Sequence, residues 1–429
     1  MLNPYSEQKD SLIYFISYVL LNIIFFYLLY RAVLEKNTID GLAILLTSSL
    51  FTIILYIKTK KPIIFKYSLF LIITPLIIIP LQYYIHSIPQ EVLVPNNVIT
   101  IKQIFYMYVF NYSYGIPFLF VPYLIHNTKY DYKSFFNTIT AFVIIYILYN
   151  IYIGEKISFN RDNLATYFKT LLTYDSIGIT LIGVVYFYSL YFYTTNKNKW
   201  LGSLLFIIFL ISLLLNITHG TRGTWLVIPI FIILTIINYR NFLKKISFSH
   251  IAIFISLIAF ALLSKIDQIT TRFTAAYSDI VLLQSHSNQA TSIGSRIIMW
   301  EHAIKDFQSS PLIGISTFNV AEQVYQLNQQ GLLAGRALTH MHSIYFQELA
   351  SHGMIGLFAL LFSFLSPLYF FFKFKTKNSR EVLIKTTGIY VVICTMICGA
   401  TDFYFITAVS AAVYYALTVT LLALLYKKN

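Results

Sequence analysis

The stretch "SIGSRIIMWEHAIKDFQSSPLIG", residues 292–314, is unlike most of the 429-residue chain around it. It combines an arginine, a tryptophan, a histidine and two carboxylates within a pattern that favours a helix. Elsewhere, long runs of Ile, Leu, Phe and Tyr reach the length needed to cross a bilayer. The position of this polar stretch within an apolar chain therefore decides how the fold is organised.

The composition indicates an integral membrane protein. Hydrophobic residues make up 57% of the chain and charged residues 11%, with a mean hydropathy of +0.69. A soluble domain cannot bury that much apolar surface, so the bilayer must act as solvent. The net charge of +14 does not imply a nucleic-acid partner, because cytoplasmic loops of membrane proteins retain Lys and Arg. We expect the lipid bilayer as a partner and no nucleic acid.

The apolar runs predict an all-α polytopic membrane protein with about 12 transmembrane helices. They lie near 11–30, 40–57, 67–84, 103–125, 135–153, 172–194, 200–217, 224–239, 250–264, 353–372, 383–399 and 404–426. Residues 1–264 then hold helices 1–9 with short loops, 265–352 form one long outer loop with amphipathic helices, and 353–429 hold helices 10–12. The first run shows no small-residue cleavage site behind it, which predicts an uncleaved span.

Basic residues orient the predicted helices. With the N-terminus inside, nineteen of the thirty-one Lys and Arg residues fall on the cytoplasmic side, which predicts that both termini are cytoplasmic. Only Arg240 and Arg380 are arginines on that side. Half of the remaining twelve are arginines, namely Arg31, Arg161, Arg222, Arg272, Arg296 and Arg336. Because the guanidinium fork suits phosphate or carboxylate, this distribution predicts an anionic ligand on the outer face.

Within the long loop, the spacing predicts a helix from Arg296 to about Phe307, capped by Ser295. Its apolar face would consist of Ile297, Trp300, Ile304 and Phe307. Such a helix would lie along the membrane surface with that face down. Arg296 would sit in the first turn, where free N–H groups also favour an anion. The alternative is an amphipathic surface helix with an ordinary solvated arginine.

The segment "THMHSIYFQELASHGMIG", residues 339–356, leads from the loop into the next span. His340 and His342 form a His-x-His pair, but no third ligand stands at helical or hairpin spacing, so we predict no metal site. His342 is instead a candidate general base, because the pKa of an imidazole lies near neutral. The alternative is a histidine satisfied by hydrogen bonds at a helix start.

Three shorter outer segments supply further polar groups. In "ITHGTRGTWLVIP", residues 217–229, two glycines flank Arg222 and would let the backbone approach a ligand; the alternative is an arginine that snorkels at the membrane edge. The segment "FNRDNLATYF", residues 159–168, supplies Arg161 and Asn163, and the turn "GATDFYF" supplies Asp402. No two carboxylates in the sequence lie within two residues of each other, so arginines would have to neutralise a phosphate leaving group.

The order of these motifs resembles the O-antigen ligase and polymerase superfamily. The shared pattern is R-x-N-x-x-A in an outer loop, T-R-G at the head of a span, S-x-G-x-R-x-x-M-W opening an amphipathic helix, S-P-L-x-G, and H-x-H-S before G-x-x-G. It covers roughly residues 155–405. The short chain and modest loop look most like the O-antigen ligases. Ser343 stands where members of this group often have Asn.

The resemblance implies a glycosyltransferase of the bacterial inner membrane with its active site facing the periplasm. The donor would be O-antigen on undecaprenyl diphosphate, the acceptor a hydroxyl of lipid A–core, and no cofactor or metal is implied. Arg222 and Arg296 would bind the diphosphate, with His342 as the base for an inverting transfer. The remaining substrate-binding candidates are Arg161, Asn163, Arg272, Trp300, His340 and Asp402.

Three other functions remain open at this stage. An O-antigen polymerase would use a second lipid-linked glycan as acceptor, and a protein O-oligosaccharyltransferase would use a protein. A transporter of lipid-linked glycans would bind the same anion without chemistry. A transporter should carry charges along its spans, whereas these spans are almost free of charge and the Arg and His residues lie on one face. That distribution favours a protein with a localised binding or catalytic site over a transporter with a path through its spans.

Overall fold

The computed structural model describes most of the chain. It covers residues 4–33, 41–60, 67–86, 111–157, 163–164, 167–168, 170–195, 198–240, 291–334, 340–402 and 404–427, with scattered positions between 263 and 281. Over these residues the secondary structure is helical and contains no strand. The predicted all-α class is confirmed for this part of the chain.

The helices divide into bundle helices and shorter connecting helices. The N-terminal half contains α1 Pro4–Val33, α2 Gly41–Thr59, α3 Phe70–His86, α4 Val121–His126, α5 Tyr132–Ile157, α6 Leu171–Thr195 and α7 Lys199–Thr218. The C-terminal half contains α8 Arg222–Trp225, α9 Ile228–Asn238, α10 Ser292–Ser309, α11 Thr317–Gln329, α12 Ile344–Lys373, α13 Ser379–Thr401 and α14 Ala408–Tyr426. Two 3₁₀ helices span Asn111–Phe118 and Tyr404–Ile406.

Eight helices among the described residues are long and apolar enough to cross a membrane, by length and composition. They are α1, α2, α5, α6, α7, α12, α13 and α14. Helix α3 and the 222–238 segment are apolar but shorter. The structure thus supports a polytopic membrane protein, and eight spans meet the criterion where twelve were predicted.

Two further predicted spans differ from the structure, and one falls outside the described residues. The described part of the 103–125 run is a 3₁₀ helix followed by the short α4, because Pro117 and Pro122 interrupt α-helical hydrogen bonding. Helix α12 begins at Ile344, well before the predicted start at 353, because its polar first turns are buried against protein and do not register as apolar. The predicted span at 250–264 lies almost entirely outside the described residues.

Helix α14 is the core of the bundle. Residues 408–425 are buried throughout, and the helix contacts α1, α4, α12, α13 and the first 3₁₀ helix. Its sequence alternates Ala, Ser and Thr with larger residues, which lets helix backbones approach closely inside a membrane bundle. Helix α13 is also largely buried and packs between α14 and α6. The ends of these helices therefore provide fixed points on which a site can be built.

Helix α10 starts earlier than the sequence predicted. Its cap is Thr291, whose Oγ1 accepts a hydrogen bond from the backbone N–H of Gly294 at 3.0 Å. The predicted cap Ser295 is wrong, because this residue lies inside the helix and its hydroxyl accepts from the backbone N–H of Ala334 at 2.7 Å. Arg296 consequently lies in the second turn and not in the first.

The buried face of α10 is also rotated from the predicted one. Ile298, Met299 and Ala303 are buried, whereas Ile304 of the predicted stripe is 43% exposed. The buried residues pack against α11, α12 and Met341, with Trp300 at the edge of the cluster. The face is rotated because the helix packs on protein, whose position the apolar periodicity of one segment does not reveal.

A backbone interlock fastens the α10–α11 connection to a kink in α12. Gly353 has φ 60° and ψ −150°, which breaks the helical hydrogen bonding around it. The freed carbonyls of Ala350 and Ser351 accept from the N–H groups of Ile315 and Ser316 at 2.9 and 3.1 Å. In return, the N–H groups of residues 354 and 355 donate to the carbonyls of residues 311 and 312 at 2.8 and 3.2 Å. All four freed backbone groups thereby find partners.

The interlock requires glycine on both sides. Gly314 has φ +72°, and a Cβ there would lie 2.4 Å from the backbone of Ser351 and His352. A Cβ on Gly353 would lie 2.6 Å from the backbone of residues 311 and 312. The S-P-L-x-G motif, which ends at Gly314, therefore packs directly on the backbone around Gly353, the first glycine of the G-x-x-G motif.

We predict that Gly314→Ala lowers the melting temperature of the detergent-solubilised protein more than Gly331→Ala does. Gly331 has φ +73°, but a Cβ at this position would meet no atom within 4 Å. Gly331→Ala therefore isolates the cost of the left-handed backbone, about 1 kcal/mol. Gly314→Ala adds a backbone clash, and we expect a total above about 2 kcal/mol. Equal melting temperatures for the two variants would contradict the interlock.

A cluster of buried polar side chains near the interlock connects α11 and α12 to α3 and to the first 3₁₀ helix. Glu348 accepts from the hydroxyl of Tyr112 at 2.7 Å and from Nδ1 of His352 at 2.7 Å. His352 also contacts Gln82 of α3, whose Oε1 accepts from the hydroxyl of Thr317 at 3.1 Å. The cluster therefore ties α3, the first 3₁₀ helix and α11 to α12.

Candidate functional site

The site is built where the segment before α12 meets the end of α13. Asp402 caps the C-terminus of α13 and is buried. Its Oδ1 accepts a hydrogen bond from Nδ1 of His342 at 3.0 Å and lies 3.7 Å from Nε2 of His340. The two imidazole rings are 4.2 Å apart between centroids. The three predicted site residues His340, His342 and Asp402 therefore form one cluster.

The backbone of the histidine segment is held from two sides. The carbonyl of Met341 accepts from the indole Nε1 of Trp300 at 3.0 Å, and the N–H of Met341 donates to Oε1 of Gln347 at 3.0 Å. His342 itself has φ +48°, a left-handed conformation that is costly for a residue with a Cβ. Such strain persists only where the surroundings fix it, and here α10 and α12 do so.

Trp300 was predicted to bind substrate, and the structure places it in packing contacts. Its N–H is used by the Met341 carbonyl, and its ring stacks on Phe346 at 4.9 Å and 13°. These contacts fasten α10 to the segment that carries the two histidines. A role in binding glycan remains a prediction for the exposed part of the ring.

The electrostatics of the cluster favour a neutral imidazole beside a carboxylate. Burial lowers the pKa of His342 to about 4, and the charges of His340 and Arg296 act in the same direction. The contacts with Asp402 raise this pKa and only partly offset the burial. Burial acts to raise the pKa of Asp402, but the hydrogen bond from His342 and the nearby imidazole of His340 together outweigh it and hold that pKa below its ordinary value.

This arrangement suits a general base. A neutral His342 that donates from Nδ1 to the ionised Asp402 keeps Nε2 as the nitrogen able to take a proton. The carboxylate orients the ring and stabilises the imidazolium that forms when the proton arrives. The geometry would allow the role of general base that the sequence predicted for His342, and that role remains a prediction.

Arg296 lies close enough to His342 for its charge to lower the pKa of that imidazole. It is half-buried, and its Nη1 donates to the backbone carbonyl and the hydroxyl of Ser292 at 3.2 and 3.1 Å. These bonds hold the guanidinium along the first turns of α10. An arginine thus stands beside the histidine cluster, as the proposed anion binding requires.

Arg222 begins α8, which contacts α6, α7 and α13. The next residue, Gly223, packs directly on Thr401, because a Cβ at Gly223 would lie 2.2 Å from Oγ1 of Thr401. Thr401 is the residue before Asp402. The Arg222 segment therefore reaches the same end of the bundle as the histidine cluster.

The structure gives less information on the three remaining residues that were predicted to bind substrate. Asn163 is exposed, and its Nδ2 donates to the carbonyl of Ile157 at 2.7 Å, a local contact after α5. Arg161 and Arg272 lie outside the described residues. Their roles remain predictions.

The cluster of His340, His342 and Asp402 also has the composition of a metal site. One ligand atom from each residue lies within 4.8 Å of the others. Two imidazoles and a carboxylate could hold a transition metal ion such as Zn²⁺. The third group comes from 60 residues along the chain, so sequence spacing around the His-x-His pair could not reveal it.

Sequence reasoning missed a second buried pair near the site. Asp175 of α6 and His219 after α7 are both buried, with Nδ1 of His219 at 2.5 Å from Oδ1 of Asp175. The signal was present, since Asp175 is the one carboxylate in an otherwise apolar predicted span at 172–194.

The fold and the site together define a polytopic helical membrane protein with a histidine–carboxylate centre and arginines at one end of its bundle. Residues 205–361 match the family model described as O-antigen ligase. This match contains Arg222, Arg296, His340 and His342. It confirms the resemblance to the O-antigen ligase superfamily that the sequence motifs indicated.

Two curated proteins are similar to parts of this chain. The chain is 29% identical to the O-antigen ligase of Escherichia coli K12 over 173 residues, which cover 39% of this chain and 40% of that protein. It is 26% identical to an uncharacterized protein of Haemophilus influenzae over 219 residues, which cover 50% of this chain and 54% of that protein. The matches thus span about half of these relatives or less.

For the glycan transfer that the family resemblance implies, we predict a pH profile with an acid limb near pH 4. With His342 as the base, that transfer would require the neutral imidazole, whose pKa is about 4, so activity should stay level through neutral pH and fall about tenfold per pH unit below that value. Initial rates across pH, with recovery checked after return to neutral pH, measure this. An acid limb near the ordinary imidazole value of about 6.5 would contradict it.

We predict that Asp402→Asn lowers transfer at least about a hundredfold, because an amide no longer fixes the imidazole tautomer. The matched control is Asp306→Asn, which alters another buried carboxylate on α10 that accepts from Gln323 at 3.0 Å. The control should keep near-normal activity in the folded fraction. Comparable losses in both variants, per folded molecule, would show that the Asp402 contact has no special role.

Proposed function

We propose that this protein is an O-antigen ligase that transfers O-antigen from undecaprenyl diphosphate to lipid A–core. The observation that carries the proposal is the His342–Asp402 pair with Arg296 beside it. The match to the O-antigen ligase family supports it. The proposed reaction takes place on the periplasmic face of the bacterial inner membrane, with both termini in the cytoplasm.

The proposed reaction uses His342 as its general base. The acceptor hydroxyl oxygen attacks the anomeric carbon of the donor sugar, and its proton passes to Nε2 of His342. The bond between that carbon and the diphosphate oxygen breaks as the new glycosidic bond forms, which inverts the anomeric centre. Asp402 stabilises the imidazolium, which returns its proton to solvent or to the leaving group.

The arginines provide the electrostatic part of the proposed mechanism. Undecaprenyl diphosphate leaves with negative charge that builds on its phosphates in the transition state. Arg296 and Arg222 bind those phosphates through the planar guanidinium fork, and they supply the neutralising charge in a metal-independent reaction. Arg161 and Arg272 are further candidates for the same anion.

The test is lipopolysaccharide banding in a ligase-deleted Gram-negative strain with a matched core and O-antigen. We expect the wild type to restore the ladder, while Arg296→Ala and His342→Ala give bare core and accumulate lipid-linked O-antigen. Each loss should exceed about a hundredfold, because transition-state charge and proton transfer are both removed.

Matched controls come from α10 itself. His302→Ala and Lys305→Ala remove a half-buried histidine and an exposed cation from the same helix, and both should restore the ladder. Expression and membrane insertion are checked for every variant. Active Arg296→Ala and His342→Ala variants would refute the proposed site. A wild type that fails here but lengthens chains in a polymerase-deleted strain would instead establish the polymerase function.

A further inference from the structure

A carboxylate inside the apolar helix α6 organises the loop that carries Arg222. Both oxygens of the fully buried Asp175 are occupied. Oδ1 accepts from Nδ1 of His219 at 2.5 Å, and Oδ2 accepts from the hydroxyl of Thr221. The two donors stand three residues and one residue before Arg222. An acidic group in a membrane helix is costly, so this fully used carboxylate indicates a role.

Two more buried hydrogen bonds connect Thr224, on the other side of Arg222, to α6 through Asn216 of α7. The Nδ2 of Asn216 donates to the backbone carbonyl of Asp175 at 3.0 Å. The hydroxyl of Thr224 donates to Oδ1 of Asn216 at 2.9 Å. Asn216, Thr221 and Thr224 are all buried. The backbone is therefore fixed on both sides of Arg222.

The loop is fixed on its other side by α13. Gly223 leaves no room for a Cβ against Oγ1 of Thr401, and the hydroxyl of Thr401 donates to the carbonyl of Cys398 at 3.1 Å. Thr401 directly precedes Asp402. Arg222 thus stands between Thr221, bound to α6, and Gly223, packed on the residue next to the His342–Asp402 pair.

We infer that Asp175 and Thr221 are positioning residues that hold Arg222 toward the diphosphate of the lipid-linked donor. This inference rests on the proposed function, in which Arg222 binds that diphosphate. A guanidinium on a rigid backbone keeps more of its bidentate binding energy than one on a mobile loop, because less freedom is lost on binding. The effect of the network should therefore appear in diphosphate binding.

The test uses Thr221→Val, which keeps the side-chain shape and removes only the hydroxyl that donates to Asp175. Binding of undecaprenyl diphosphate to the purified full-length protein in detergent is titrated, and the melting temperature of each variant is measured. We expect a Kd about tenfold higher than wild type, as for residues that share one network. Thr221→Ser restores the hydroxyl and should return the Kd to within about twofold of wild type.

A double-mutant comparison separates this inference from the proposed function. Arg222→Ala alone should weaken binding, and adding Thr221→Val to it should change little, because Thr221 acts through Arg222. If Arg222→Ala binds like wild type, the role of Arg222 in the proposed function fails. If Arg222→Ala weakens binding but Thr221→Val adds its full effect on top, the positioning inference fails and the proposed function stands.

A structural role alone gives a different pattern. Thr221→Val would then lower the melting temperature and the binding-competent fraction while the Kd stayed at the wild-type value. That outcome also overturns the inference. Donor KM gives a second readout in active protein: we expect it to rise with Thr221→Val while the acceptor KM stays constant.

Discussion

The rest of the site depends on the contacts that the buried carboxylate of Asp402 makes with His342 and His340. This carboxylate is buried at the end of α13, where it would be costly without partners. Nδ1 of His342 donates to it at 3.0 Å, and Nε2 of His340 lies 3.7 Å away. One acidic group therefore holds the segment before α12 against the end of α13. Its neighbour Thr401 packs on Gly223, which brings the Arg222 segment to the same place.

The surroundings of this carboxylate are rigid. The interlock between residues 310–316 and the kink at Gly353 fixes α10 and α11 on the spans, and Trp300 links α10 to the carbonyl of Met341. A charged guanidinium and a strained histidine can be held in one geometry only on such a frame. The left-handed conformation of His342 shows that packing and hydrogen bonds outweigh its backbone preference.

The candidate residues of the site could be predicted from the sequence more fully than their assembly. Residue type and position selected His342, Arg296 and Asp402 as candidates, because charged residues and histidines are unusual in so apolar a chain. Their meeting depends on contacts between α12 and α13 that no local spacing encodes. Similarly, the sequence predicted Ser295 as the cap of α10, whereas the capping hydroxyl in the structure belongs to Thr291, four residues earlier. Hydropathy also could not separate lipid-facing from buried surface, so it missed the polar start of α12 and the central position of α14.

We propose that one end of the bundle holds a diphosphate between Arg222 and Arg296, facing His342. A cryo-EM structure of the purified protein with undecaprenyl diphosphate bound tests it most directly. We expect phosphate density within hydrogen-bond distance of both guanidinium groups, with Nε2 of His342 directed at the same space. Density for the phosphates elsewhere, with Arg222 and Arg296 turned away from each other, would contradict it.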